Sequence, residues 1–246
     1  MKEIDLEDLK LQLVDSCRIL AGKKCVREIT GHVSARIPGT DEMLIRCRPP
    51  QDPGVEFTTV NDIKRVGFDG SSSELGGGYK LPGEFSIHAE IYKARADVGS
   101  VVHGHPHSSL MCGVLGLSFR AVIGAYDPGA LEIALSKVPV FPRAVLITTP
   151  ELGRQVVGLM GQSNVCLLRG HGIVAAGVDV ADATVRAVKF ETMAQITMEI
   201  HTTTREPFEL SDDDIAETMS MWTPQASTLV QWTWDFYRRS LDIKSK

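Results

Sequence analysis

Asn164-Val165-Cys166-Leu167-Leu168-Arg169-Gly170-His171-Gly172-Ile173-Val174-Ala175-Ala176 is the stretch on which the fold turns. Two short apolar runs, 164–168 and 172–176, stand either side of a histidine bracketed by glycines. Apolar runs of this length between turn residues read as buried strands. A parallel pair needs a crossover of a dozen or more residues, usually a helix. The connection after Gly170-His171 is too short for one, so the two runs are predicted to pair antiparallel. Strand-like and helical patterns alternate through the rest of the chain. The expectation is a mixed, partly antiparallel sheet covered by helices on both faces.

Working outward, Asp5 is placed to cap a first helix whose Leu6, Leu9, Leu13, Cys17 and Leu20 fall on one face, with Gly22 as its stop. Met43 to Cys47 reads as a strand, and the Ser/Gly-rich stretch Ser71 to Gly78 as a surface loop. A helix from about Glu84 to Arg95 leads into a strand ending near His103. Val138-Pro139-Val140-Phe141 is expected on a sheet edge, because proline lacks a ladder donor. Thr149 and Pro150 are the N-cap and first residue of a helix running to Gly161. Asp179 opens a long helix to about His201, and Ser211 with Asp214 caps another. A last amphipathic segment carries Trp232, Trp234, Phe236 and Tyr237. No repeat or linker interrupts the chain, so residues 1–246 are expected to form a single domain with a C-terminal helical segment.

Composition narrows the functional classes. A net charge of −5 argues against a general nucleic-acid surface, and no apolar run approaches the ~18–20 residues of a membrane span. The first ten residues, MKEIDLEDLK, are acidic and carry no signal-peptide core. The five cysteines are scattered and form no CxxC pair, which suggests neither a zinc ribbon nor a disulfide framework. A cytoplasmic protein is expected. Gly76-Gly77-Gly78 lacks the strand–turn–helix setting of a dinucleotide loop.

The chemistry lies in two short motifs. In Val101-Val102-His103-Gly104-His105-Pro106-His107, His103 and His105 are two residues apart after an apolar run, a spacing that aims both rings at one face of a strand. His171 supplies a third imidazole, and Glu84 lies nineteen residues before His103. Three neutral imidazoles and a carboxylate meet the needs of an open divalent-metal site. A histidine at a strand end is also commonly a hydrogen-bonded structural residue, and the residues alone leave both readings open. Pro106 is expected to bend the strand and turn His107 towards a polar loop. His88, one helical turn after Glu84, is placed to orient it, and His201 to end a helix.

Glu84, His103-Gly104-His105 and Gly170-His171-Gly172 match, in order and spacing, the class II aldolase/adducin-type family. The resemblance covers nearly the whole chain, from Thr30-Gly31-His32-Val33-Ser34-Ala35-Arg36 to the helix after Gly177. It implies an α/β fold of three layers, α/β/α, with a mixed, largely antiparallel central sheet. It also implies a homotetramer with active sites at subunit interfaces, and a divalent metal on His103, His105 and His171. Glu84 becomes a further ligand or the acid/base, and a C-terminal aromatic, Tyr237, is a candidate to reach a neighbouring subunit's site.

The departures from the family's sugar-phosphate members are as informative. Those members carry Gly-Asn at Gly31-His32, a Thr-Gly turn at Arg48-Pro49 and paired serines at Pro82-Gly83. With that phosphate cradle replaced, a phosphorylated ketose is a poor candidate substrate. Arg46 and Arg48 alternate beside the expected pocket, and guanidinium forks suit carboxylates. The pattern resembles the family's decarboxylase branch, whose members act on hydroxylated aromatic or pyridine dicarboxylates. The expected function is a metal-dependent carboxy-lyase, with Glu84 catalytic, Arg46, Arg48, His32 and Tyr237 on substrate, and manganese favoured over zinc by analogy. Carbon–carbon cleavage leaves an electron pair that a metal-polarised oxygen can take up as an enolate. Retro-aldol cleavage shares that intermediate, so an aldolase or epimerase on a small hydroxy-carbonyl is the alternative. A non-catalytic adducin-like interaction protein is the second alternative.

Overall fold

The computed structural model describes residues 5–244, with side chains to residue 241. Asp5 accepts from the Glu7 backbone N–H at 2.9 Å and caps α1 (Leu6–Gly22), whose Leu13, Cys17 and Leu20 are fully buried. An antiparallel meander follows: β1 (His32–Arg36), β2 (Glu42–Arg46) and β3 (Ile63–Gly67). Then come α2 (Phe85–Ala94), β4 (Ser100–Gly104), α3 (His107–Leu115), α4 (Pro128–Leu135) and β5 (Val140–Phe141). The rest of the chain is α5 (Pro150–Met160), β6 (Val165–Leu168), β7 (Gly172–Gly177), α6 (Val180–His201), α7 (Asp212–Trp222) and α8 (Ala226–Lys244).

The seven strands form one sheet in the order β3-β2-β1-β4-β7-β6-β5. Every neighbouring pair is antiparallel except β5 with β6. The predicted tight connection is present, with Leu168 opposite Gly172 across β6 and β7. Helices cover both faces. On one, α1, α6 and α8 pack over Val33, Ala35, Leu44, Val102, Ile173 and Ala175. On the other, α2 and α5 pack over Met43, Ile45, Val101, Val174 and Ala176. The alternation of buried residues between the two faces is the period of a strand whose sides are both covered.

Two helices escaped the sequence reading. α3 begins directly after Pro106, so the chain does not continue as a polar loop there, and His107 is exposed in its first turn. α4 starts on a readable signal, Asp127 as N-cap accepting from Ala130 N–H at 3.1 Å and Pro128 as first residue. The proline-bearing edge strand is confirmed: the Pro139 carbonyl accepts from Leu167 N–H at 2.9 Å, and regular pairing begins at Val140. Among the described residues, no helix is long and apolar enough to cross a membrane.

Candidate metal centre and active site

The site is assembled at one end of the three central strands. β1 begins with His32, β4 ends with His103-Gly104, and β7 begins just after His171, so antiparallel pairing brings the three ends together. His32 lies directly opposite His103. Two glycines allow this closeness. Gly31 sits at φ +107°, and a Cβ there would strike the Val26 side chain. A Cβ on Gly172 would strike the Gly104 carbonyl and the His105 ring.

Glu84, His103, His105 and His171 each present a ligand atom, and all four atoms lie within 4.8 Å of one another. Glu84 immediately precedes α2, and its Oε1 accepts from the Ile147 backbone N–H at 2.8 Å. That bond fixes the carboxylate with Oε2 facing His103 Nε2 at 3.1 Å and His171 Nε2 at 3.2 Å. Burial raises the Glu84 carboxyl, while hydrogen bonding and charge from the two facing imidazoles, in the state where they carry a proton on the facing nitrogen, would outweigh it and hold the group well below the usual carboxylate range. For His105, burial and then its neighbours His103 and His171 lower the ring to about 3, so it stands as a neutral imidazole.

The donor set fits a divalent cation. His103 Nδ1 lies 2.9 Å from the Ile173 carbonyl, which can only accept, so the ring proton belongs on Nδ1. With Nε2 unprotonated, as metal ligation requires, His103 turns a lone pair towards the Glu84 carboxylate oxygen, itself an acceptor. A shared cation would satisfy both acceptors, and a backbone carbonyl holding the other nitrogen is the usual support of a metal-bound histidine. His171 Nδ1 is buried without a partner among the described residues.

The other expected site residues divide. His32 joins the cluster, its ring centroid 5.0 Å from that of His103. His88 does not orient Glu84; its two nitrogens meet His32 and Ser34 instead. Arg48 lies beyond the end of β2, half-buried, with Nη2 donating to the Ile29 carbonyl at 3.3 Å. Arg46 requires a correction. It shares the face of Leu44, opposite to that of His32, and its guanidinium is consumed by Asp52 at 2.6 Å and Thr58 Oγ1 at 2.9 Å. It is a structural ion. Tyr237 requires another, because it is packed into its own core under α1 and α6, with Lys23 Nζ 4.4 Å from its ring centre. The aromatics that α8 exposes are Trp232 and Phe236.

Sequence reasoning missed Glu191. This buried α6 carboxylate accepts from Ser108 N–H and Ser109 N–H, both at 2.9 Å, and from Ser109 Oγ at 2.7 Å. It caps α3 from across the fold and anchors the chain just after His105. Nothing in local spacing links residue 191 to residue 108. Ser34 and Tyr92 were missed as well, although Ser34 alternates with His32 and Tyr92 lies one turn after His88.

Comparison with known proteins agrees with this geometry. The family model of the class II aldolase and adducin N-terminal domain matches residues 11–198. A 3,4-dihydroxyphthalate decarboxylase of Arthrobacter keyseri is 37% identical over 82% of this chain and 82% of its own. The L-fuculose phosphate aldolase of Escherichia coli (strain K12) is 28% identical over 85% of this chain and 91% of its own. Among solved structures, an aldolase II superfamily protein from Pseudomonas syringae superposes with a TM-score of 0.81 at 20% identity, covering 97% of this chain and 93% of that one. With its sheet, its two motifs and most of its length accounted for, the chain belongs to the class II aldolase and adducin family.

Proposed function

We propose that this chain removes a carboxyl group from a hydroxylated aromatic or pyridine dicarboxylate in a metal-dependent reaction passing through an enolate. Its reaction class, carboxy-lyase, follows from its identity to the dihydroxyphthalate decarboxylases. The observation that supports the mechanism is the convergence of Glu84 with three imidazoles on one point, where they could hold a cation. His103, His105 and His171 hold the ion, for which manganese is favoured and zinc is the alternative. When bound, such an ion supplies the Lewis acidity that lets an oxygen beside the reacting carbon carry negative charge.

Glu84 is the proton carrier. Held as a carboxylate, it takes the proton of the ring hydroxyl and returns it to the carbon bearing the carboxylate. The carbon–carbon bond then breaks, its electrons restore the aromatic ring, and carbon dioxide leaves. A solvent proton regenerates the hydroxyl, so one proton is consumed for each carbon dioxide released. Arg48, whose guanidinium is not tied to an acid among the described residues, is proposed to grip the second carboxylate. The working unit is taken as residues 1–246 in a cytoplasmic homotetramer.

The test is to supply the manganese- or zinc-loaded protein with 3,4-dihydroxyphthalate and measure carbon dioxide, and separately with fuculose phosphate and measure aldehyde. Carbon dioxide without aldehyde is expected. Aldehyde from the sugar phosphate, with no carbon dioxide from any aromatic acid, would replace this reading with the aldolase one. A purified protein that takes up neither metal would favour the interaction-protein reading.

A further inference from the structure

Behind the metal centre the polar side chains continue inward, where apolar ones would pack without needing partners. His32 Nδ1 lies 2.6 Å from His88 Nε2, His88 Nδ1 2.7 Å from Ser34 Oγ, and Ser34 Oγ 2.7 Å from the Tyr92 hydroxyl. All four residues are buried, Ser34 and His88 completely. Two facing imidazole nitrogens at this distance share one hydrogen. Among the described residues, neither buried ring has a carboxylate hydrogen-bond partner to offset a charge, so both are neutral, each carries one N–H, and the row can be oriented in only two ways.

The far end decides which. Among the described residues the Tyr92 hydroxyl meets one side-chain acceptor, Ser34 Oγ, and the other polar group facing it is the Val101 backbone N–H, itself a donor. A buried hydroxyl proton needs an acceptor, so Tyr92 donates to Ser34. Ser34 then donates to His88 Nδ1, and His88 Nε2–H donates to His32 Nδ1. His32 is left with its proton on Nε2, which has no partner among the described residues.

We infer that Tyr92, Ser34 and His88 are positioning residues that lock His32 as an Nε2–H donor, so that His32 gives a hydrogen bond to an anionic oxygen of the substrate beside the metal centre. A carboxylate accepts only, and this tautomer attracts it where the other would turn a lone pair against it. Naming the oxygen as a carboxylate rests on the proposed decarboxylase activity; the tautomer does not. An asparagine, as in the sugar-phosphate members, brings its own donor and needs no such row behind it.

The experiment has two arms. Nitrogen-15 NMR of histidine-labelled, zinc-loaded protein should show His32 and His88 both protonated on Nε2. In Ser34→Ala, His88 should gain a population protonated on Nδ1, with metal content unchanged. In the second arm, carbon dioxide release from 3,4-dihydroxyphthalate should fall about 10-fold in kcat/KM for Ser34→Ala, the usual scale for loss of such a support. Placed in a His32→Gln background, where the amide donates unaided, Ser34→Ala should change kcat/KM by no more than about 2-fold. Tyr92→Phe carries the same expectations and stands in if Ser34→Ala does not fold. A proton on Nδ1 of either ring in the parent protein, or a full-size Ser34→Ala effect in the glutamine background, would overturn the inference. If the parent releases no carbon dioxide from this acid, the proposed function fails, and the nitrogen spectrum still decides the tautomer.

Discussion

Arg46 and Glu84 are both buried ions at the same end of the sheet, on opposite faces, and they are satisfied in different ways. Arg46 meets its opposites directly, with Asp52 at 2.6 Å and the Thr58 hydroxyl at 2.9 Å. Glu84 meets a backbone N–H with one oxygen, while the other faces two imidazole nitrogens, at least one of them a lone pair. The first arrangement neutralises itself within the protein. The second gathers four groups whose ligand atoms could hold a cation supplied from outside. A buried charge closed by its own neighbours serves the fold, whereas one left facing acceptors is available for chemistry.

That contrast can be broken by mutation, most severely at the ligands. His103→Ala, His105→Ala and His171→Ala should each fold, lose most bound metal and lose all detectable turnover. Metal analysis with full occupancy in any of the three would remove that residue from the ligand set. Glu84→Gln is next, because it keeps the shape and the Ile147 bond but not the titrating group. Turnover should fall about 10²-fold while substrate still binds; near-parental kcat would place the proton carrier elsewhere.

On the opposite face the response should be of another kind. Arg46→Met strands Asp52, and denaturant titration should show a loss of about 3–5 kcal/mol of folding stability. Below its melting temperature that variant should keep its metal and its KM. A stable Arg46→Met variant with a raised KM would return Arg46 to the substrate. Arg48→Met, at a half-buried position, should be the mildest: about 10-fold in KM for a dicarboxylate, the scale of one charge-assisted hydrogen bond. A monocarboxylate should be handled as before, and equal loss for both would show that Arg48 does not read the second carboxylate.

The legible parts of the molecule were those written in local spacing. Asp5, Thr149-Pro150 and Asp179 mark helix starts because capping chemistry is local, and all three helices begin where those residues place them. The antiparallel β6–β7 pair followed from a connection too short to cross over. The three histidines were visible because each of their motifs pairs an apolar strand with a turn, whereas Glu84 lies at the start of a helix. What remained hidden depends on partners far along the chain. Alternation suggested that Arg46 and Arg48 share a face, but not that Asp52 waits across from Arg46. Tyr237 and Phe236 are adjacent in sequence, and only packing shows which one is buried. α3 was missed because its cap, Glu191, comes from a helix more than eighty residues away.

The placement of β4 at the middle of the sheet also bears on when the protein becomes competent. Its partners are β1, some seventy residues earlier, and β7, some seventy later, so His103 meets His171 only after one of the sheet's two most distant strand pairings has closed. A ribosome-bound chain that has not yet emitted residue 177 has no pocket to load, and contacts so distant in sequence form slowly. Uptake of the proposed ion would thus report a finished sheet rather than guide its assembly. An ion seated there, as proposed, would add a further tie between segments already joined by the β4–β7 ladder, worth about 2.7 kcal/mol at a hundredfold excess over its dissociation constant.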